Sequence, residues 1–257
     1  MNNTLSTDNF DIFEGMTSIS AVIKSIKQNL RSRRIIKVLY DATRTAQKSR
    51  EISFLKKTSI DMNFALEAVP ADVISSYTSG ETHGGIIVFS IKFEFPPISP
   101  DFLNGNFFVL LEGIEDPYNF GYSLRSLYAA GVDGIILTRR NWLEYSGVVA
   151  RSSAGTSELA NIAISASEDA VKLFKNNGFT VVCAGIRDSV SIYEYDFNRP
   201  ILLVVGGEKR GISRKLLDLS DATVRIDYGR EFMGSLPSAS AISVISFEIS
   251  HQKNRNS

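Results

Sequence analysis

From residue 107 onward the chain alternates short apolar runs with amphipathic or glycine-ended segments, and this rhythm restricts its fold more than any other feature. The runs are "FFVLLEG" (107–113), "GIILT" (134–138), "FTVVCAG" (179–185), "ILLVVGG" (201–207) and "TVRIDYG" (223–229). Each is strand-length, and most carry no polar alternation, as expected of strands buried on both faces. Between them, "GYSLRSLYAAG" (121–131) and "ASEDAVKLFKNNG" (166–178) read as helices ended by glycine. "SGVVARSSAG" (146–155) is a further helix candidate, and a last helix is expected from about Ser238. Strands interleaved with helices predict an α/β fold with a parallel sheet covered on both faces.

Upstream, the boundary is "FEFPPISPDFLNGN", residues 93 to 106, where prolines at 96, 97 and 100 bar both helix and central strand. The reading is an N-terminal tail over 1–15, a small α+β domain over 16–94, a Pro-rich linker over 95–106 and the α/β domain over 107–257. In the small domain, helical spacing in "SISAVIKSIKQNL" passes to the strand-like "RIIKVLY", and "GGIIVFSIKFEF" closes it as a strand.

Charge is balanced, with 28 basic and 28 acidic residues, so the net value points to no polyanionic partner. Its distribution does. Between Lys24 and Lys57 there are eleven basic residues against Asp41 and Glu51 alone. Such an excess suits a phosphate backbone, with Arg31, Arg33, Arg34 and Lys37 as candidate nucleic-acid contacts. A solvated helix face would account for the same residues. The one cysteine, Cys183, lies within an apolar run, and no Cys/His spacing suits a metal. The N-terminus lacks the basic-then-apolar pattern of a signal peptide, and no apolar run reaches ~18 residues. A soluble, cytoplasmic protein without a membrane partner is expected.

In a parallel sheet, ligands gather at the carboxyl ends of the strands, and three such ends are unusual. In "EGIEDPYNFGYSLRSLYAAG" (112–131), Asn119 and Arg125 are candidates to converge on an anion near a helix start; an Asn cap and a surface Arg are the structural alternative. "VVGGEKRGIS" (204–213) allows close backbone approach at its glycines, but lacks a dinucleotide fingerprint and the ending of a P-loop. "YGREFMGSLPSASA" (228–241) is either a pocket wall or a packing helix with its start.

Taken in order, D-P-x-N-x-G…R, V-x-G-x-E-x-x-G and G-S-L…A resemble the SpoU/TrmH branch of the SPOUT methyltransferases. "RSSAGT" (151–156) looks like the Ser-Ala-Gly segment between the first two motifs. The resemblance covers roughly 107 to 250. The first domain, with "THGGIIV" before the linker, looks like an RNA-binding domain related to ribosomal proteins. The resemblance implies transfer of a methyl group from S-adenosylmethionine to a ribose 2′-hydroxyl of RNA, rRNA before tRNA, by a homodimer. It also implies a trefoil knot, which no periodicity argument produces because threaded chains are rare. It places the cofactor against Gly206, Ile226 and Leu236, with Ala184 and Gly185 beside them. It assigns the chemistry to Asn119, Arg125, Glu208 and Ser235. One position departs: the family's S-L-N reads Ser235-Leu236-Pro237 here. A non-catalytic RNA-binding protein on the same fold is therefore the alternative, and a nucleotide-dependent metabolic enzyme the more distant one.

Overall fold

The computed structural model describes residues 10–78, 83–139 and 145–255. Residues 1–9 of the expected tail, and Thr82 of "THGGIIV", lie outside them. The chain divides into two compact units.

The first unit runs β1 (Phe10–Glu14), α1 (Gly15–Lys27), β2 (Ile35–Asp41), α2 (Ser49–Met62), β3 (Ala65–Val69), α3 (Ala71–Ser75) and β4 (Ile86–Ile91). Its sheet has the order β1-β4-β2-β3, with β2 and β3 parallel and the other pairs antiparallel. Alternating apolar residues put Phe13, Val38 and Val88 into one core with Ile19 and Val22 of α1 and Leu55 of α2. The expected tail begins to pair five residues before its predicted end, because β1 aligns Phe10 with Ile91 and Glu14 with Ile87.

Two further helices, α5 (Ser146–Ser152) and α6 (Thr156–Leu159), also belong to this unit rather than to the sequence that surrounds them. Their glycines explain why. A Cβ on Gly147 would collide with the Ile12 carbonyl, and one on Gly155 would lie 2.5 Å from the Ala21 Cβ. The backbone of "SGVVARSSAG" therefore lies directly on β1 and α1, and Ala150 joins their core. A salt bridge of 2.6 Å from Arg151 to Glu14 adds to the attachment.

Arg31 and Arg33, read from the sequence as RNA contacts, are buried here. Arg33 donates to Asp11 and, at 2.7 Å, to Glu158, and its guanidinium lies 4.9 Å from the Phe13 ring centroid. Arg31 donates to the Ser157 carbonyl at 3.3 Å, and burial lowers its pKa to about 10. Both charges are spent inside the unit and reach no external phosphate. Arg34 is exposed, and Lys37 is half-buried with its Nζ 4.8 Å from the Phe89 ring centroid.

The second unit contains β5 (Phe107–Glu112), α4 (Pro117–Ala129), β6 (Gly134–Leu137), β7 (Ile162–Ile164), α7 (Ser167–Asn176) and β8 (Thr180–Ala184). It continues through β9 (Val190–Ser191), β10 (Ile201–Gly206), α8 (Arg214–Leu219), β11 (Ala222–Arg225) and α9 (Ser238–Arg255). The seven strands have the order β7-β6-β5-β10-β8-β11-β9, and every pairing is parallel. On one face Phe174 of α7 and Leu216 of α8 bury against Phe108, Val181 and Leu202. The Phe108, Phe174 and Phe179 rings pack edge to face with centroids 4.9 to 5.4 Å apart. On the other face α4 and α9 pack together, joined by a 2.6 Å hydrogen bond from Ser243 Oγ to Ser126 Oγ.

The Pro-rich segment is not a free linker. Ile164 N donates to the Pro96 carbonyl at 2.8 Å, extending the β7 edge, and Phe102 enters the core. Proline is tolerated at such an edge because its missing donor faces away from the ladder.

Candidate active site

Four neighbouring strands, β5, β10, β8 and β11, end side by side and send their loops to one edge of the sheet. A cavity of about 420 Å³ opens there, within the range of small-molecule sites. Its walls come from the loops after β8 (Gly185, Arg187), β10 (Gly206, Glu208) and β11 (Ile226, Tyr228, Leu236), with Ala241 and Ile245 of α9 behind.

The loop after β10 is folded back so tightly that only glycine fits. A Cβ on Gly206 would lie 2.5 Å from both the Gly211 oxygen and the Ile212 nitrogen. Gly207 donates to the Glu112 carbonyl at 2.7 Å, and a Cβ on it would collide with Gly113. The glycines read as permissive of close backbone approach thus serve first to bring the β5 and β10 loops together. Glu112 closes the arrangement by accepting Ser213 N–H at 3.0 Å.

That closeness positions the polar residues. Asp116 caps α4 by accepting the Asn119 backbone N–H at 2.8 Å, and Pro117 occupies the first turn. Asn119 is then free to donate its side-chain amide to Glu208 Oε1 at 2.9 Å. Glu208 lines the cavity and also an adjacent depression formed with Gly113, Asp116 and Lys209. Lys209 is held above its ordinary pKa by its hydrogen bond to Glu115, at 2.8 Å.

The loop from Ile226 to Pro237 forms the opposite wall. Leu236 N–H donates to the Tyr228 hydroxyl at 3.2 Å, and the Tyr228 ring packs on Phe232. The Pro237 carbonyl accepts from Ser240 and Ala241 at 2.9 and 3.0 Å and so starts α9. Ser238 Oγ donates to the Gly206 carbonyl at 3.2 Å, tying that start to the end of β10. Proline therefore fits a helix start whose first donors need no partner.

All five residues expected to hold a cofactor, Ala184, Gly185, Gly206, Ile226 and Leu236, line this cavity. Of the four expected to act chemically, Glu208 and Ser235 line it and Asn119 holds Glu208. Arg125 does not join them. Six residues advance about 600° around a helix, leaving Asn119 and Arg125 on different faces. Arg125 is exposed on the outer side of α4, where Tyr118 and Tyr122 are also exposed. The sequence reading missed Tyr228, Arg187 and Ser238, and only the position of Ser238 directly after "GSLP" offered a signal for any of them.

The lining suits an adenosyl group. Apolar Ile212, Leu217 and Val224 line the cavity together with Gly185, Gly206 and Leu236, a mixture of apolar side chains and glycine backbone able to enclose a ring system. Among the described residues there is no cluster able to hold a metal ion, and no helix long and apolar enough to cross a membrane.

Comparison with known proteins agrees with this geometry. The model of the SpoU rRNA Methylase family matches residues 106–247. A Staphylococcus saprophyticus protein named for the TrmH family of tRNA/rRNA methyltransferases is 25% identical over 216 residues, covering 80% of this chain and 85% of its own length. Bacillus subtilis YacO, named for the same family, is 24% identical over 243 residues, covering 91% of this chain and 94% of its own. Among solved structures, the AdoMet-bound rRNA methyltransferase from Sinorhizobium meliloti superposes with a TM-score of 0.76 at 22% identity, over 95% of this chain and 87% of that one. AviRb from Streptomyces viridochromogenes, solved with the cofactor AdoMet, gives 0.75 at 21% identity, over 99% and 94%. At these identities the structures speak for the fold.

Proposed function

Because the chain belongs to the SpoU rRNA methylase family, we propose that it is an S-adenosylmethionine-dependent methyltransferase acting on a ribose 2′-hydroxyl of RNA, rRNA in preference to tRNA. The observation that carries this reading is the convergence of Asn119, Glu208 and Ser235 with a glycine-walled cavity at the ends of four adjacent strands.

Ala184, Gly185, Gly206, Ile226 and Leu236 are the residues that would hold S-adenosylmethionine. When bound, the cofactor supplies a methyl group already activated on a sulfonium. The chain's remaining task is to orient a ribose oxygen and stabilise the charge that develops on it. Asn119 fixes Glu208 at the rim, so that the carboxylate keeps one orientation. Ser235 offers a hydroxyl from the facing wall. The depression beside Glu208 is where we place the ribose.

Arg125 contributes a permanently protonated guanidinium suited to a developing alkoxide and a neighbouring phosphate. It does so from a second copy of the chain. Its exposed face of α4, with Tyr122, and the exposed Val244 and Phe247 of α9 form the apolar surface on which we place a homodimer contact. The reading also includes a trefoil knot in the second unit, a cytoplasmic location, and a first unit that holds RNA.

Pro237 does not argue for a non-catalytic protein. Its carbonyl starts α9 while Ser235 and Leu236 keep their places on the wall. The reading is tested by incubating the protein with tritiated S-adenosylmethionine and, separately, unmodified rRNA and tRNA. Label is expected in rRNA; label confined to tRNA corrects the substrate, and label in neither refutes the activity.

A further inference from the structure

The eleven cations between Lys24 and Lys57 separate into distinct groups in the folded chain. Arg31 and Arg33 are buried, Arg44 pairs with Asp41 at 3.2 Å, and Lys48 pairs with Glu51 at 3.2 Å. Arg50 and Lys57 take part in no ion pair among the described residues, and both are exposed on α2. Ile52 and Leu55 face the core from the opposite side of that helix, and the buried Thr58 lies between that side and the exposed row. Between the two cations stands Phe54, 44% exposed and without a ring partner among the described residues. At about 100° per residue, positions 50, 54 and 57 fall within about 60° of one another, along roughly 10 Å of helix axis. Asp61 ends the row.

The exposed part of an aromatic ring is costly to solvate. Set between two exposed cations outside any ion pair among the described residues, it matches the chemistry of an unpaired nucleotide strand, whose phosphates take the charges and whose bases stack on the ring. A duplex offers the charges but keeps its base faces stacked. We propose that the outer face of α2 receives an unpaired segment of the substrate RNA, with Arg50 and Lys57 on phosphates and Phe54 under a base. The proposal rests on the reading that the protein acts on RNA, and it assigns the contact to residues other than those the charge cluster first suggested.

The test is fluorescence anisotropy on the full chain with two labelled probes, a 12-nucleotide oligouridylate and an RNA hairpin duplex. Phe54→Ala is expected to weaken oligouridylate binding about tenfold, with little effect on the duplex and no change in salt slope. Phe54→Trp is expected to restore it. Arg50→Ala with Lys57→Ala is expected to weaken both probes and to reduce the single-strand salt slope by about 1.4, roughly 0.7 for each lost contact. Lys24→Ala with Lys27→Ala, at the exposed end of α1, serves as the general charge control and should change little.

The proposal is overturned if wild type does not bind oligouridylate, if the α2 variants bind like wild type, or if the α1 control loses as much. An acidic protein partner in place of RNA would appear as the first of these results. Calorimetry with S-adenosylmethionine, run on the same variants, should give unchanged affinity. Intact RNA binding without methyl transfer would refute the activity and leave this surface standing, and the converse holds equally.

Discussion

The Asn119 side-chain amide donates to Glu208 Oε1 at 2.9 Å, across 89 residues of sequence, and ties the loop after β5 to the loop after β10. Glu208 is exposed and Asn119 half-buried, neither in the core, so their contact orients groups more than it stabilises the fold. Asn119→Ala should therefore change stability by no more than about 0.5 kcal/mol. Methyl transfer should fall by about 100-fold, the scale expected when a reacting group is misplaced by an ångström. A calorimetric titration should show S-adenosylmethionine affinity close to wild type. Unchanged turnover would remove Asn119 and its partner from the chemistry.

Arg33 has the opposite character. Replacing it with methionine strands the buried Asp11 and Glu158 carboxylates, at a cost of about 3–5 kcal/mol. Urea unfolding would measure this as a lower midpoint. Converting all three residues to apolar ones of similar volume should recover most of the loss. A stable Arg33→Met protein with weakened RNA binding would return Arg33 to the RNA surface.

The two arginines show where sequence reading ends. A run of cations is visible in the sequence, but its burial depends on carboxylates 22 and 125 residues away that only the fold brings in. The parallel sheet was legible because strands buried on both faces leave continuous apolar runs. The cavity residues were legible through motif order, since the glycines that permit the β5–β10 approach cannot be replaced. Arg125 illustrates the limit within a motif. It follows Asn119 by six residues on the same helix, and helix geometry sends it to another face of α4. The attachment of α5 and α6 to the first unit was equally hidden, because it depends on backbone contacts of Gly147 and Gly155.

Tyr228 supplies a narrower test of the cavity wall. Tyr228→Phe removes the acceptor for Leu236 N–H and keeps the ring on Phe232. One hydrogen bond of this kind contributes about 1 kcal/mol, so S-adenosylmethionine should bind several-fold more weakly with little change in the thermal midpoint. Identical calorimetric affinity would show that the 226–237 loop holds its position without it.

Burial raises the Cys183 thiol from an ordinary value of 9.0 to about 11. The folded chain thus holds this proton more tightly than the unfolded chain does. The associated stability is complete below about pH 9 and declines as the pH rises from there toward about 11. At pH 8 the native thiol should resist alkylation and react fully only after unfolding in urea. Rapid labelling of the native protein would contradict the placement of Cys183 in the core.

The most direct measurement of the central claim is the position of the transferred methyl group. RNA labelled from tritiated S-adenosylmethionine would be hydrolysed in alkali, which cleaves only next to a free 2′-hydroxyl. The proposed activity predicts that the label emerges in alkali-resistant dinucleotides, because a methylated oxygen cannot attack the adjoining phosphate. Label recovered in mononucleotides would place the methyl group on a base and contradict it.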